Sequence, residues 1–272
     1  MEPKLQRRVQ RYGWDRAVGD YEAGWRQQLA PAQGQLLALA APAPGESVLD
    51  VACGTGLATF EAARAVGPGG RVLGIDISGE MISFAHRRAA ELGLPNTSFQ
   101  RMEAEQLDLA DASFDVGLCA LGLMYVPEPE AALAELRRVL RPGGRMALAV
   151  WGERARCGWA AMFPIVDAEV ASDVCPLFFR LGAGDTLARL SAEAGFQSVQ
   201  ARRLSSLLGY ADGAAACDAA FVGGPAALAW SHFDEAVRAR VRARYLDSIE
   251  PWRKPWGYEV PGEFVVVSGV AP

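Results

Sequence analysis

The chain has 272 residues, 51% of them hydrophobic and 22% charged, a balance that supports a sizeable buried core and excludes a disordered polymer. Lys and Arg number 27 against 32 Asp and Glu, a net charge of −5, so no overall positive field draws in nucleic acid or anionic lipid, and a nucleic-acid substrate is disfavoured. The opening MEPKLQRRVQRYGWD is too polar for a secretory signal, no stretch approaches the ~20 apolar residues that span a bilayer, and cysteines 53, 119, 157, 175 and 217 form no Cys-x-x-Cys pair or zinc pattern, so the expectation is a cytoplasmic protein with free thiols, no membrane insertion and no metal.

Residues 1–44 show no strand–helix alternation, and Ala-Ala-Pro-Ala-Pro-Gly (40–45) reads as a linker. From Glu46 short β-rich runs alternate with helical periodicity, which predicts a parallel sheet covered by helices on both faces. Strands are expected at 47–52, 71–76, 97–102, 114–120 and 145–151, and helices at 57–66, about 79–92 and 128–140. In the second of these helices Ile82, Ala85, Ala89 and Leu92 share a face, and Gly93 and Pro95 end it. Arg141-Pro142-Gly143-Gly144 stops the third. A helix at 184–194, a strand from Phe196 and a closing strand at 263–270 continue the theme. The predicted architecture is a single catalytic unit: a doubly wound, Rossmann-like α/β core (45–151, 184–205 and 260–272) under a mainly helical cap (1–44, 152–183 and 206–259). Six of the seven tryptophans fall in the cap segments, leaving Trp151 in the core, which fits either a pocket wall or packing between cap helices.

Val48–Gly56 (VLDVACGTG) is a strand running into a glycine turn and a helix, where Gly54 and Gly56 let backbone approach a ligand at the helix amino terminus. A dinucleotide fingerprint asks for a third glycine where this chain has Thr59. Asp76 ends the second strand, 20 residues past Gly56, where a carboxylate accepts bonds from the hydroxyls of a ribose. Together these features point to an adenosine-containing ligand. Strand three leads into Met102-Glu103-Ala104, acidic and level with an adenine ring, and strand four ends in Cys119-Ala120-Leu121-Gly122, small and apolar.

The order LDVACGTG (49–56), GIDIS (74–78), EAEQLD (103–108), SFDVGLCALGLMYV (113–126) and LRRVLRPGG (136–144) resembles the class I S-adenosylmethionine-dependent methyltransferases, in particular their ubiquinone and menaquinone C-methyltransferase-like branch. The resemblance implies S-adenosyl-L-methionine as cofactor and a small-molecule acceptor. It implies that Asp50, Ala52, Gly54 and Gly56 surround the methionine part, that Asp76 holds the ribose, and that Ile77 and Met81 border the adenine. Glu103 and Ala104 would meet the adenine edge, and Ala120 or Leu121 would lie near the sulfonium. Trp14-Asp15-Arg16-Ala17 with Asp20-Tyr21 resembles the family's lid helix, in which Tyr21 closes over the cofactor. Ala52 stands where many members have glycine, and Glu103 where many have Asp.

Plainer roles stand beside these. Asp76 fits a helix cap, a role Ser78 fills as easily; Glu103 fits an exposed residue; Cys53 and Cys119 fit small packing residues. The run Arg238–Arg244 (RARVRAR) reads as a solvated helix face rather than an RNA contact. If the nucleophile needs a base, only two histidines exist: His86 is expected to face solvent, and His232, between Trp230 and Phe233, is the candidate catalytic residue or else a packed cap residue. Amino-directed and cytosine-directed nucleic-acid methylation need an Asn/Asp-Pro-Pro-Tyr-like or Pro-Cys motif that this chain lacks. Arsenic methylation would need Cys157, Cys175 and Cys217 to converge. The rival functions are a non-catalytic S-adenosylmethionine-binding module and a nicotinamide-dependent oxidoreductase, the latter opposed by Thr59.

Overall fold

In the computed structural model, which describes residues 2–170, 175 and 177–272, the first strand shows why the centre of the sheet reads as a continuous apolar run: every residue of β1 (Ser47–Val51) is buried, as both faces are covered. It is preceded by α1 (Pro3–Ala40), a single helix of 38 residues. Then follow α2 (Leu57–Val66), β2 (Arg71–Asp76), α3 (Gly79–Leu92), β3 (Thr97–Arg101), β4 (Phe114–Ala120), α4 (Pro129–Val139) and β5 (Leu140–Trp151). The remainder is α5 (Met162–Asp167), α6 (Thr186–Glu193), β6 (Gln197–Tyr210), α7 (Gly213–Phe221), α8 (Ala227–His232), α9 (Glu235–Ile249), β7 (Arg253–Lys254) and β8 (Gly257–Val270). The sheet order is β3-β2-β1-β4-β5-β8-β6, with β7 paired to β8. Strands β1 to β5 are parallel, and β8 runs antiparallel between β5 and β6.

Helix ends follow the local chemistry. Ser78 caps α3 by accepting the Met81 amide at 3.1 Å, and Gly93, at φ 64°, ends it in the left-handed conformation. The buried stripe of α1 falls at positions 6, 10, 13, 17, 25, 29, 32, 36 and 40, spaced three and four residues apart in each half. Its first half is Gln6, Gln10, Gly13 and Ala17, and its second half Trp25, Leu29, Ala32, Leu36 and Ala40, with Gln28 also buried beside Leu29. The second half enters the main core and the first lies over the carboxyl edge of the sheet. A stripe half made of glutamine and glycine carries little hydrophobic periodicity, which is why this helix is hard to see in the sequence.

Three expectations need correction. The fifth strand starts at Leu140 rather than after the Pro-Gly-Gly turn, because Leu140 already pairs with Phe114 and a bulge absorbs the turn. The strands at the end of the chain are longer than expected: β6 and β8 stay paired out to Tyr210↔Tyr258, so strand pairing continues into the segment assigned to the cap. Trp151 is not alone in the core, since Trp25 and Trp159 pack edge-on against it at 6.0 and 4.7 Å between ring centroids. Within the expected cap segment 152–183, residues 171–174 and 176 lie outside the described residues.

Candidate active site

The order of strands reverses between β1 and β4, because the chain winds outward from β1 to β3 and then returns to β4 on the other side. Helices leaving the two neighbouring strands diverge there, and a crevice opens at the carboxyl ends. A cleft with about 760 Å³ of non-atom space, the solvent at its mouth included, occupies that point. Of the residues expected at a site, Tyr21, Ala52, Gly54, Asp76, Ile77, Met81, Glu103, Ala104, Ala120 and Leu121 all line it.

The glycine turn forms the floor. Gly54 has φ 55° and open space where a Cβ would project, so backbone is bare toward the cleft. At Gly56, φ 93° combines with a Phe60 ring 2.5 Å from the Cβ position, so any other residue there is strained. Asp50 and Gly56 stand behind the wall: Asp50 is fully buried and its Oδ2 accepts the Thr59 hydroxyl at 2.6 Å, while Gly56 begins α2. Thr59, the residue that spoils a dinucleotide fingerprint, is thus the anchor of Asp50.

Asp76 combines roles that the sequence left as alternatives. Its Oδ2 accepts the Gly54 amide and its Oδ1 the Ser78 amide, both at 2.9 Å. It therefore ties the glycine turn to the start of α3, while Ser78 performs the capping. Burial raises the Asp76 carboxyl to about 6, against the pull of these amides, and raises Asp50 to about 7. Cys53 and Cys119 are buried, and burial lifts Cys53 well above the ordinary thiol range and Cys119 to about 12, so neither is a nucleophile.

The first half of α1 forms the roof. Arg7 donates to both oxygens of Glu105 at 2.8 and 3.0 Å and to Glu128 at 2.7 Å, with Glu103 3.6 Å away. The Ser78 hydroxyl donates to Asp15 at 2.6 Å, and Gln6 donates to the Tyr125 carbonyl at 3.3 Å. Trp14 meets Tyr21 and Tyr125 edge-on at 5.8 and 5.0 Å. Arg7, Gln10, Glu105 and Tyr125 were not foreseen as site residues. Glu105 and Tyr125 lie within the quoted motifs, whereas nothing in LQRRVQR marks Arg7.

A second, smaller chamber, with about 320 Å³ of non-atom space counting the solvent at its mouth, shares Trp14, Tyr21, Leu121 and Tyr125 with the cleft and continues past them to Trp25, Trp151, Trp159 and Phe178. The structure does not bring His232 to either space. It is exposed at the end of α8, beside Leu5, Arg8 and Tyr12 on the outer side of α1. His86 is exposed, as expected, and its Nε2 lies 3.2 Å from the Phe99 carbonyl. Among the described residues no group of three His, Cys, Asp or Glu side chains is arranged to hold a metal.

The residues fit an adenosyl cofactor bearing positive charge. Asp50 Oδ1 and Thr55 Oγ1 are buried beside the glycine turn without a partner, a costly state that an incoming ammonium or other donor relieves. A family described as "Methyltransferase domain" matches residues 42–170. Nocamycin O-methyltransferase of Saccharothrix syringae is 38% identical over 135 residues, 50% of this chain and 48% of that protein. Demethylmenaquinone methyltransferase of Lactococcus lactis is 37% identical over 122 residues, 45% of this chain and 46% of that protein. The chain spans about half the length of these curated relatives, and their similar identities do not single out the quinone branch. The crystal structure of the YcgJ protein from Bacillus subtilis shares the fold, with a TM-score of 0.61 at 17% identity over 89% of this chain and 98% of that one. Over residues 42–170 the chain is thus similar to a methyltransferase domain and to proteins named as methyltransferases.

Proposed function

We propose that the protein transfers a methyl group from S-adenosylmethionine to a small organic acceptor, with Asp76 on the ribose, Glu103 and Ala104 at the adenine edge, and Asp50 and the glycine turn around the methionine part. The observation that carries this reading is the meeting of two spaces of different chemistry: a cleft edged by Asp76 and Glu103 opens, past Leu121 and Tyr125, into an aromatic chamber. The cofactor supplies a methyl group on a positively charged sulfur, which departs as a neutral thioether. The chain's part is alignment, which can lower a barrier by ~7–11 kcal/mol. Ala120 and Leu121 leave room between the two spaces, Leu121 standing at φ 63° with its amide N–H donating to the Ala149 carbonyl at 2.8 Å. Tyr21, Trp14 and Tyr125 exclude water. The exposed position of His232 favours alignment over base catalysis by that residue, with an acidic acceptor losing its proton to solvent. The relatives' names include an O-methyltransferase and a demethylmenaquinone methyltransferase, which supports an oxygen or carbon nucleophile in a small molecule.

The test is incubation with S-adenosylmethionine and a panel of phenols, quinols, indoles, amines and thiols, with detection of S-adenosylhomocysteine. Release that depends on an acceptor is expected. Tight cofactor binding with no release from any acceptor class would favour a non-catalytic binding module instead.

A further inference from the structure

The aromatic chamber contains one polar group whose state the fold does not explain. Trp159 is buried, at 1% exposure, and its indole Nε1–H has no hydrogen-bond acceptor. Its neighbour Trp25, packed against it at 5.9 Å between centroids, shows the ordinary solution: Trp25 Nε1 donates to the Ala219 carbonyl at 3.0 Å. Buried indole donors are normally paired, and an unmade bond is expensive. Trp159 is one of the residues that line the chamber.

Resting on the methyl-transfer reading above, we propose that Trp159 Nε1–H is the donor that selects and orients the methyl acceptor, and that this acceptor is a flat, uncharged ring system bearing a carbonyl or phenolic oxygen. Three features of the chamber fix that class. Its walls are largely rings, including Trp14, Trp25, Trp151, Trp159 and Phe178, which favour a planar aromatic guest over a branched or extended chain. Among the described residues lining it there is no Asp, Glu, Lys, Arg or His, so a guest with a fixed charge would lose its hydration without compensation. An N–H donor calls for a lone pair, which an unsubstituted hydrocarbon lacks. Trp159 is therefore a specificity residue, distinct from the residues that hold the cofactor.

The experiment measures equilibrium binding rather than turnover, so that its result is separate from that of the methylation assay. The whole protein, labelled with nitrogen-15 at tryptophan and saturated with S-adenosylhomocysteine, is titrated with 1-naphthol, 1,4-naphthoquinone and naphthalene. The Trp159 indole resonance is assigned from a Trp159→Phe variant or, if that variant fails to fold, by elimination with the other tryptophans replaced in turn. The expected result is a downfield shift of the Trp159 proton with the two oxygenated probes and none with naphthalene. Trp159→Phe is expected to weaken the oxygenated probes about 5–10-fold while leaving naphthalene and S-adenosylhomocysteine binding unchanged, the size of one neutral hydrogen bond. Equal binding of all three probes with an unmoved Trp159 resonance overturns the donor role, and failure of every aromatic probe to bind overturns the acceptor class. Failure to bind S-adenosylhomocysteine would instead count against the methyl-transfer reading itself.

Discussion

Asp50 and Asp76 are both carboxyls whose protonation burial favours, to about 7 and about 6. A carboxyl raised above its unfolded value stabilises the fold fully below that unfolded value, and the contribution is lost as pH rises through the folded one. The ligand-free protein is therefore expected to lose stability from about pH 4 to 7 on account of this pair. A cation beside them reverses the preference, since it favours the ionised forms. Calorimetric titration of S-adenosylmethionine at about pH 6.5, in two buffers of different ionisation enthalpy, is expected to show proton release that fades by about pH 8.5 and shrinks in Asp50→Asn. Identical heats in both buffers would contradict this. Asp76→Ala is expected to weaken cofactor binding by about 1.5–3 kcal/mol and, because the Gly54 and Ser78 amides lose their acceptor, to cost about 1–3 kcal/mol of stability as well. Unchanged affinity in a folded mutant would remove Asp76 from the ribose. At this scale the sequence told much: the residues lining the floor sit next to one another in short motifs. Arg7 and Trp159 were illegible because their partners are remote or missing.

Among the elements, α1 has two different attachments. Its second half is rooted in the core through Trp25, Leu29 and Leu36, while its first half is held over the cleft by polar contacts, chiefly Arg7 on Glu105 and Glu128. Arg7→Ala is expected to loosen only the roof. Stopped-flow displacement should then show S-adenosylhomocysteine leaving about 5–30-fold faster, for a loss of about 1–2 kcal/mol, with little change in melting temperature. An unaltered release rate would mean that the Arg7 contacts do not control access. Gly56→Ala, forced to φ 93° with Phe60 in the way, is expected to cost about 1–3 kcal/mol in denaturant unfolding; a neutral result would refute the strain at this turn. The helices between strands were legible because each carries an apolar stripe and a Gly or Pro stop. The roof half of α1 was not, because its buried face is glutamine, glycine and alanine. Strand β6 was only partly legible: it lies at the sheet edge with many residues exposed, so it lacks the apolar run of β1.

Across the whole molecule, the part of the site carried by the sheet could be read in order along the chain, whereas the aromatic chamber draws on segments far apart, from Trp14 to Pro225, and no local pattern announces such a convergence. One buried charge helps hold the far side together. Glu263, 3% exposed, accepts from Arg203 at 2.7 Å and from the Glu153 amide at 3.0 Å, joining β8, β6 and the exit of β5. Glu263→Ala is expected to cost about 2–3 kcal/mol in denaturant unfolding, and a smaller loss would mark this junction as dispensable. The span of α1 has a consequence for how the protein is made. Trp25 donates to the Ala219 carbonyl and Gln28 to the Gly209 carbonyl, so α1 has no finished seat until the segment through Ala219 has been made. Contacts of such long sequence separation form late. The cleft therefore gains its roof only after β6 and α7 are in place, which makes cofactor retention a report on the folding of these distal elements, and a chain stalled before Gly209 would hold an open, leaking site.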